Sequence, residues 1–141
     1  MVIEYNIGWA YSSEVIAEQP KTGTTKDGFE YNMNKISGNS ICIKQGSGQY
    51  VKSPVLESSN VSITFTVKAI DTSNIITLDV LVVYTDGSSE VIYVELPEDK
   101  KSLTKTIELS GKEISTVTLN GSSSHTTKNV GVLEFSITYF K

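Results

Sequence analysis

The sequence contains no arginine, one histidine and one cysteine. All 12 basic residues are lysines, and the formal net charge is −4. Because arginine supplies the planar donor fork that grips phosphates and guanine edges, its absence argues against nucleic-acid binding. The lone Cys42 excludes an internal disulfide framework and any site that needs several cysteines.

Long apolar runs are also missing. No stretch approaches the roughly 20 apolar residues that a membrane-spanning helix requires, so we expect no membrane insertion. The segment Met1 to Ile7 lacks the basic cluster that opens a secretory signal. With 141 residues, of which 38% are hydrophobic and 20% charged, the composition suits one globular domain.

Apolar and polar side chains alternate with a period of two over most of the chain. In Val61–Lys68 and Leu133–Tyr139 every second side chain is apolar, which gives a strand one buried face. Ile75–Tyr84 and Val91–Leu96 both have strand character, and Asp86-Gly87 lies between them. Because that dipeptide suits the positive φ angles of a tight turn, these segments predict a long β-hairpin.

About nine or ten short strands separated by turn signals predict an all-β fold, a two-sheet antiparallel β-sandwich of the jelly-roll type. We expect residues 1–141 to form this single domain. The Gly46-Ser47-Gly48 turn, between Ser40–Gln45 and Gln49–Lys52, predicts a second hairpin. The helix candidate is short, Ser13–Gln19, and it ends before Pro20.

Two features of the strand pattern concern the middle and the end of the chain. In Ile75–Tyr84 both faces are partly apolar, since Leu81 and Val83 lie opposite the main apolar set. This predicts a central strand, or one whose outer face meets another element. Later, Leu103–Leu109 and Ser115–Leu119 predict two separate strands.

Groups that could carry catalysis are few. His125 lies in a loop rich in serine and threonine, where a fixed neighbour for acid–base work is not expected. Cys42 stands between Ile41 and Ile43, and no histidine lies near it in sequence to activate it. None of the common phosphate-binding, zinc-protease or calcium-loop motifs is present. We therefore predict a protein that is not an enzyme.

Aromatic side chains are the more informative candidates. Trp9 and Tyr11 follow the first predicted strand, and Tyr50 stands beside the Gly46-Ser47-Gly48 turn. Such amphipathic rings can stack on the apolar face of a sugar while their polar tips stay in water. We predict that these three residues bind ligand, although Trp9 could equally close one end of the core.

Several segments together resemble the jelly-roll sandwiches related to galactose-binding and carbohydrate-binding modules. In such modules a Gly-x-Ser strand precedes a strand ending in Ser/Thr-Pro, then a long alternating strand and a final strand that returns beside the first. The matching segments here are Ile7–Tyr11, Gly38–Lys44, Gln49–Leu56, Val61–Lys68 and Val130–Tyr139. The resemblance spans most of the chain.

The resemblance also implies a possible structural calcium ion. Many members carry acidic residues for it in the last strand, where this chain has only Glu134. Asp27-Gly28-Phe29-Glu30 is similar to the Gly-Phe-Glu of some members, later in the chain than is usual. Glu30 and Glu134 are therefore the implied calcium ligands, and without calcium both are solvated strand carboxylates.

Two functions of different classes stay open. The first is a non-catalytic module that recognises carbohydrate through rim aromatics. The second is a structural virion protein of a phage, such as a capsid decoration, head-fibre or tail component, which uses the same fold for assembly and forms a homo-oligomer. The expected partners are a glycan, or other virion or cell-surface proteins, and an extracellular, cell-surface or virion location is favoured.

Overall fold

A computed structural model describes residues 1–11, 21–122 and 128–141. These residues form eleven strands and contain no helix, so none of them belongs to a membrane-spanning helix. The strands are β1 Glu4–Ala10, β2 Thr22–Thr24, β3 Glu30–Asn32, β4 Lys35–Ser37, β5 Ser40–Lys44, β6 Tyr50–Lys52, β7 Ser58–Ala69, β8 Thr77–Tyr84, β9 Ser89–Glu95, β10 Leu103–Gly121 and β11 Asn129–Phe140. The predicted helix Ser13–Gln19 and His125 lie outside the described residues.

The strands are arranged in two antiparallel layers that share β10. The first layer has the order β4-β5-β11-β7-β10, in which β1 pairs with the part of β11 that extends beyond β5. The second has the order β2-β3-β6-β10-β8-β9. The prediction of an all-β antiparallel sandwich is confirmed, as is the hairpin formed by β8 and β9.

Strand β10 passes from one layer into the other. Its first half, Leu103–Ser110, pairs with β7, and its second half, Ile114–Gly121, pairs with β8. The pairing register shifts between the halves, where Gly111 has a φ of 103°. A φ in this range is favourable for glycine and strained for other residues, so Gly111 allows the bend. One bent strand thus replaces the two predicted separately.

The predicted second hairpin is wrong. Strand β5 pairs with β4 and β11, whereas β6 pairs with β3 and β10 in the other layer. Gly46 and Gly48 do have the positive φ values, 72° and 79°, that a sharp turn requires. The turn instead carries the chain from one layer to the other. The glycines predict a reversal of the chain, but they do not determine which strands pair on either side of it.

The core lies between the layers and follows the predicted alternation. Val61, Ile63, Phe65 and Val67 of β7 are all fully buried. Aromatic rings also join the layers, since Phe29, just before β3, meets Phe135 of β11 edge to face at 5.1 Å between ring centroids. Each such buried side chain contributes about 1.5–3 kcal/mol to folding. Burial also raises the pKa of the Cys42 thiol on β5.

Hydroxyl groups cover the outer face of the first layer. Thr64 and Thr66 of β7 form hydroxyl–hydroxyl hydrogen bonds with Thr106 and Thr104 of β10, at 2.9 and 2.8 Å. Paired hydroxyls of this kind hold neighbouring strands together on a wet surface. This face is therefore polar and partnered within itself.

The turn of the β8–β9 hairpin is anchored to the bend of β10. Lys112, which follows Gly111, forms an ion pair with Asp86 at 3.0 Å and lies 4.6 Å from the centroid of the Tyr84 ring. Hydrogen bonds from Ser88, together with Lys112, lower the pKa of Asp86 to about 2. The hairpin and the bend are thus held as one unit.

Asp71 ties the loop after β7 to the start of β11. Its carboxylate accepts hydrogen bonds from the backbone N–H and the side-chain amide of Asn129, both at 2.9 Å. Partial burial opposes ionisation of Asp71, but the bonds from Asn129 outweigh it, so the net effect lowers the pKa. The folded chain therefore prefers the ionised form.

We expect Gly111→Ala to lower the free energy of unfolding by about 1–2 kcal/mol, because an L side chain strains a backbone with positive φ. A Cβ at Gly111 would meet no atom within 4 Å, so the cost is purely conformational. Gly8→Ala is the matched control, since its Cβ would make an ordinary 3.4 Å contact with Ser136. Urea unfolding of both variants checks this, and equal effects would contradict the role given to Gly111.

We expect Asp71→Asn to cost about 0.5–1 kcal/mol of stability at pH 7, because the single oxygen of an amide cannot replace both carboxylate oxygens that accept from Asn129, and exposure of Asp71 to solvent limits the effect. The folded pKa of Asp71 lies below its ordinary 3.8. The contribution of Asp71 to the free energy of unfolding is therefore complete above the ordinary pKa of 3.8, and it is lost as the pH falls through the folded pKa. Urea unfolding between pH 7 and pH 2 should show the variant and the parent converging. Glu98→Gln, which removes another exposed carboxylate, is the control and should leave the stability at pH 7 within about 0.5 kcal/mol of the parent.

Candidate ligand-binding groove

The outer face of the second layer brings side chains from five strands into rows. In one row the register places Tyr50 of β6 beside Asn120 of β10, and Asn120 beside Asp79 of β8. In the next row Lys52 lies beside Thr118, and Thr118 beside Leu81. The rows continue outward to Asn32 and Glu30 on β3 and to Tyr93 and Val91 on β9.

A groove of about 540 Å³ lies along the second half of β10 on this face. Its floor contains Thr116 and Thr118, which are only 7% and 6% exposed although they point away from the core. The described residues that line it are Tyr50, Lys52, Val55, Leu81, Val83, Ser115, Thr116, Thr118 and Asn120. We call this feature the β10 groove.

Side-chain size explains the shape of the β10 groove. The short threonines of the central strand stand between the longer Tyr50 and Lys52 on β6 and the aliphatic Leu81 and Val83 on β8. Strands lie about 4.8 Å apart, so the taller neighbours on each side leave a trough above β10. The depression therefore follows from the strand sequences themselves.

Tyr50 is the only aromatic residue predicted to bind ligand that lines the β10 groove among the described residues. Its side chain is half-buried, and its cross-strand neighbour Asn120 lines the groove beside it. The ring therefore has packing that holds it and a side that faces the groove. Its role in binding stays a prediction.

Trp9 and Tyr11 lie away from the β10 groove, in the first layer. Trp9 is 3% exposed, stands opposite Phe135 and belongs to the core, and its Nε1 has no hydrogen-bond partner among the described residues. Tyr11 packs partly against the core, and its N–H donates to the carbonyl of Leu133 at 2.9 Å. The structure thus places Trp9 inside the molecule, where its ring presents no face to a ligand, and does not bring the three rings together.

Glu30 and Glu134 do not meet, which corrects the calcium site that they were expected to form. Glu30 points outward from β3 in the second layer, and Glu134 points outward from β11 in the first. The two carboxylates therefore lie on opposite outer surfaces of the sandwich. On the surface of the first layer, Thr66 donates a hydrogen bond to Glu134 at 3.1 Å. Within the described residues no group of three or more acidic, histidine or cysteine side chains could hold a metal ion.

Sequence reasoning missed most of the β10 groove. The signal that could have found it was the pair Leu81 and Val83, which made β8 apolar on both faces. The prediction offered a second packing element as one explanation, and the structure shows that these side chains form one wall of an open trough. Thr116 and Thr118 gave no separate signal, because outward threonines are ordinary on a sheet surface.

Asp79 stands on the same face, one strand beyond Asn120 and outside the lining of the groove. Burial raises its pKa, and a hydrogen bond with Ser122 opposes that effect. Its Oδ1 is buried without a hydrogen-bond partner among the described residues. The Asp79 carboxylate thus interacts with Ser122 and does not line the groove.

Comparison with known proteins gives matches in structure. No protein-family model and no curated protein matches the chain. The CBM22-1 xylan-binding domain from Paenibacillus barcinonensis Xyn10C matches with a TM-score of 0.56 and 15% identity, over 93% of this chain and 91% of that one. An exo-beta-agarase matches with a TM-score of 0.56 and 12% identity, over 91% of this chain and 24% of that one.

A third match is a carbohydrate-binding module, CBM36, whose structure holds calcium and xylotriose. Its TM-score is 0.51 and its identity 12%, over 96% of this chain and 99% of that one. At these identities the similarity concerns the fold. The chain has the β-sandwich fold of carbohydrate-binding modules.

Proposed function

We propose that this protein is a non-catalytic carbohydrate-binding module whose ligand lies in the β10 groove. The observation that carries the proposal is the groove itself, an open trough on a sheet face that combines one aromatic ring, an aliphatic wall and a polar floor. Ligand sites of this kind are largely apolar, with a few placed polar groups that fix orientation.

The lining chemistry matches the two sides of a sugar ring. A sugar has apolar C–H faces, which can pack on the ring of Tyr50 and on the wall of Leu81 and Val83. Its hydroxyl edge can exchange hydrogen bonds with Thr118 and with the amide of Asn120, both of which donate and accept. A hydroxylated chain is the ligand that uses both sets of groups.

The structural matches agree with this proposal. Two of them are named for sugar ligands, a xylan-binding domain and a module in complex with xylotriose. Binding modules of this fold suggest a glycan partner and an extracellular location for this chain. One of these modules holds calcium, but Glu30 and Glu134 do not form a site for it here, so the groove proposal involves no metal.

The structural virion role, with its expected homo-oligomer, stays a prediction. No contact or surface among the described residues favours it over glycan binding. The fold is compatible with either role, because a sandwich can serve recognition and assembly alike.

We expect Tyr50→Ala to weaken glycan binding about tenfold, because it removes the aromatic surface on which a sugar packs. The matched control is Tyr93→Ala, since Tyr93 is 70% exposed on the same face but does not line the groove. Affinity gel electrophoresis against xylan, mixed-linkage β-glucan and pectin checks this. A loss with Tyr93→Ala and none with Tyr50→Ala would contradict the assignment of the groove.

We expect Thr118→Trp to abolish glycan binding, because the indole would fill the trough above β10. Since Thr118 points outward, the ring enters the groove and not the core. Ser136→Trp is the control, as it places the same ring on the outer face of the first layer. Thermal melting should show both variants folded, and retained binding by folded Thr118→Trp would exclude the β10 groove as the site.

A further inference from the structure

The β10 groove carries one charge. Among its described lining residues Lys52 is the only charged side chain, and no carboxylate lines it. Lys52 belongs to the wall formed by β6, while the facing wall of Leu81 and Val83 is aliphatic. The whole chain has a net charge of −4, so the positive charge of Lys52 is opposite in sign to the net charge of the protein.

Lys52 is half-buried and has no acidic partner in the described part of the chain. The ion pair found there joins Lys112 to Asp86, which lie just beyond Ser115 and Val83 in sequence, outside the lining of the groove, and it does not involve Lys52. The carboxylate nearest by register is Glu30, the cross-strand neighbour of Lys52 on β3, and it is exposed outside the lining. Asp79 lies beyond Asn120 on the other side and interacts with Ser122. As far as residues 1–11, 21–122 and 128–141 are concerned, no carboxylate occupies the ammonium group, and it can meet a ligand.

Tyr50 and Lys52 point the same way from one strand. They are two residues apart, so their Cα atoms are separated by about 7 Å along β6. A sugar stacked on Tyr50 would therefore place its own substituent, or that of the next unit, beside the ammonium group. A carboxylate there would gain a charge-assisted hydrogen bond from one of three ammonium donors.

We infer that the β10 groove selects acidic glycans, with the carboxylate of a uronic acid unit bound by Lys52 and a sugar ring packed on Tyr50. This inference rests on the proposed function, because it names the class of glycan that the same groove takes. The carboxylate lies along the β6 wall, since the wall of Leu81 and Val83 offers it no donor side chain.

The test uses paired probes in which the carboxylate of the acidic member is replaced by an uncharged group. Glucuronoxylan is compared with the same polymer after carboxyl reduction, and polygalacturonate with its methyl ester, by affinity gel electrophoresis of the whole chain. We expect the acidic member of at least one pair to bind about three- to tenfold more tightly, the range of a half-buried charged contact. This preference should shrink when the salt concentration is raised, because salt screens exposed charges.

Three substitutions test whether Lys52 produces the preference for acidic glycans. Lys52→Gln should remove the difference between the members of a pair, whereas Lys105→Gln, which deletes an exposed lysine from the other half of β10, should leave it unchanged. Glu30→Gln should increase the preference, since it removes the negative charge beside Lys52. Thermal melting confirms that each variant is folded.

The outcomes separate the two proposals. Equal or tighter binding of the neutral members would overturn the selectivity for acidic glycans and leave the glycan-binding groove standing. Absence of binding to every probe would overturn the proposed function and the inference with it. An acidic preference that survives Lys52→Gln would overturn the role of Lys52.

Discussion

The structure depends on the continuity of β10 through both layers of the sandwich. Its first half is held by β7 in one layer, and its second half forms the centre of the other. The bend at Gly111 sets the angle between the two halves, and Lys112 next to it is tied to the turn at Asp86. Because both layers share this strand, the geometry of the bend fixes how their inner faces pack.

The same constraint produces the groove. Strand β10 is flanked by β6 and β8 beyond the bend, and both strands present larger side chains outward than Thr116 and Thr118 do. The floor is therefore part of the central strand of a sheet, backed by a closed core that includes Val117 and Leu119. A rigid floor of this kind lowers the entropic cost of binding, because little has to be ordered when a ligand arrives.

The sequence predicted the fold well wherever a period of two decides the outcome. The buried face of Val61–Lys68 and the hairpin at Asp86-Gly87 follow from local chemistry alone. Pairing between distant segments does not, since alternation shows which face is buried but not which strand lies alongside. The Gly46-Ser47-Gly48 turn was therefore assigned to the wrong pairing, and the two halves of β10 were separated at Gly111.

The candidate site was harder to predict than the fold, because it depends on which distant strands lie side by side. The pattern places Trp9 after the first strand and leaves both a rim position and a core position open, whereas Trp9 lies within β1 and its register opposite Phe135 turns the ring into the core. Glu30 and Glu134 could be compared with family positions one by one, yet only the assembled layers show that they face opposite surfaces. Tyr50 can be named as a candidate from sequence because it is a ring beside a turn, and its role in binding stays a prediction. Its neighbours in the groove come from strands distant in sequence.

If the protein binds a glycan as proposed, the ligand occupies the trough above the second half of β10. Backbone amide chemical shifts, followed by NMR while a uronic acid-bearing oligosaccharide is added, test it most directly. We expect the largest changes at Thr116–Asn120 and at Tyr50 and Lys52, with the outer face of the first layer unaffected. Changes concentrated around Glu134 and Ser136, with none along β10, would contradict it.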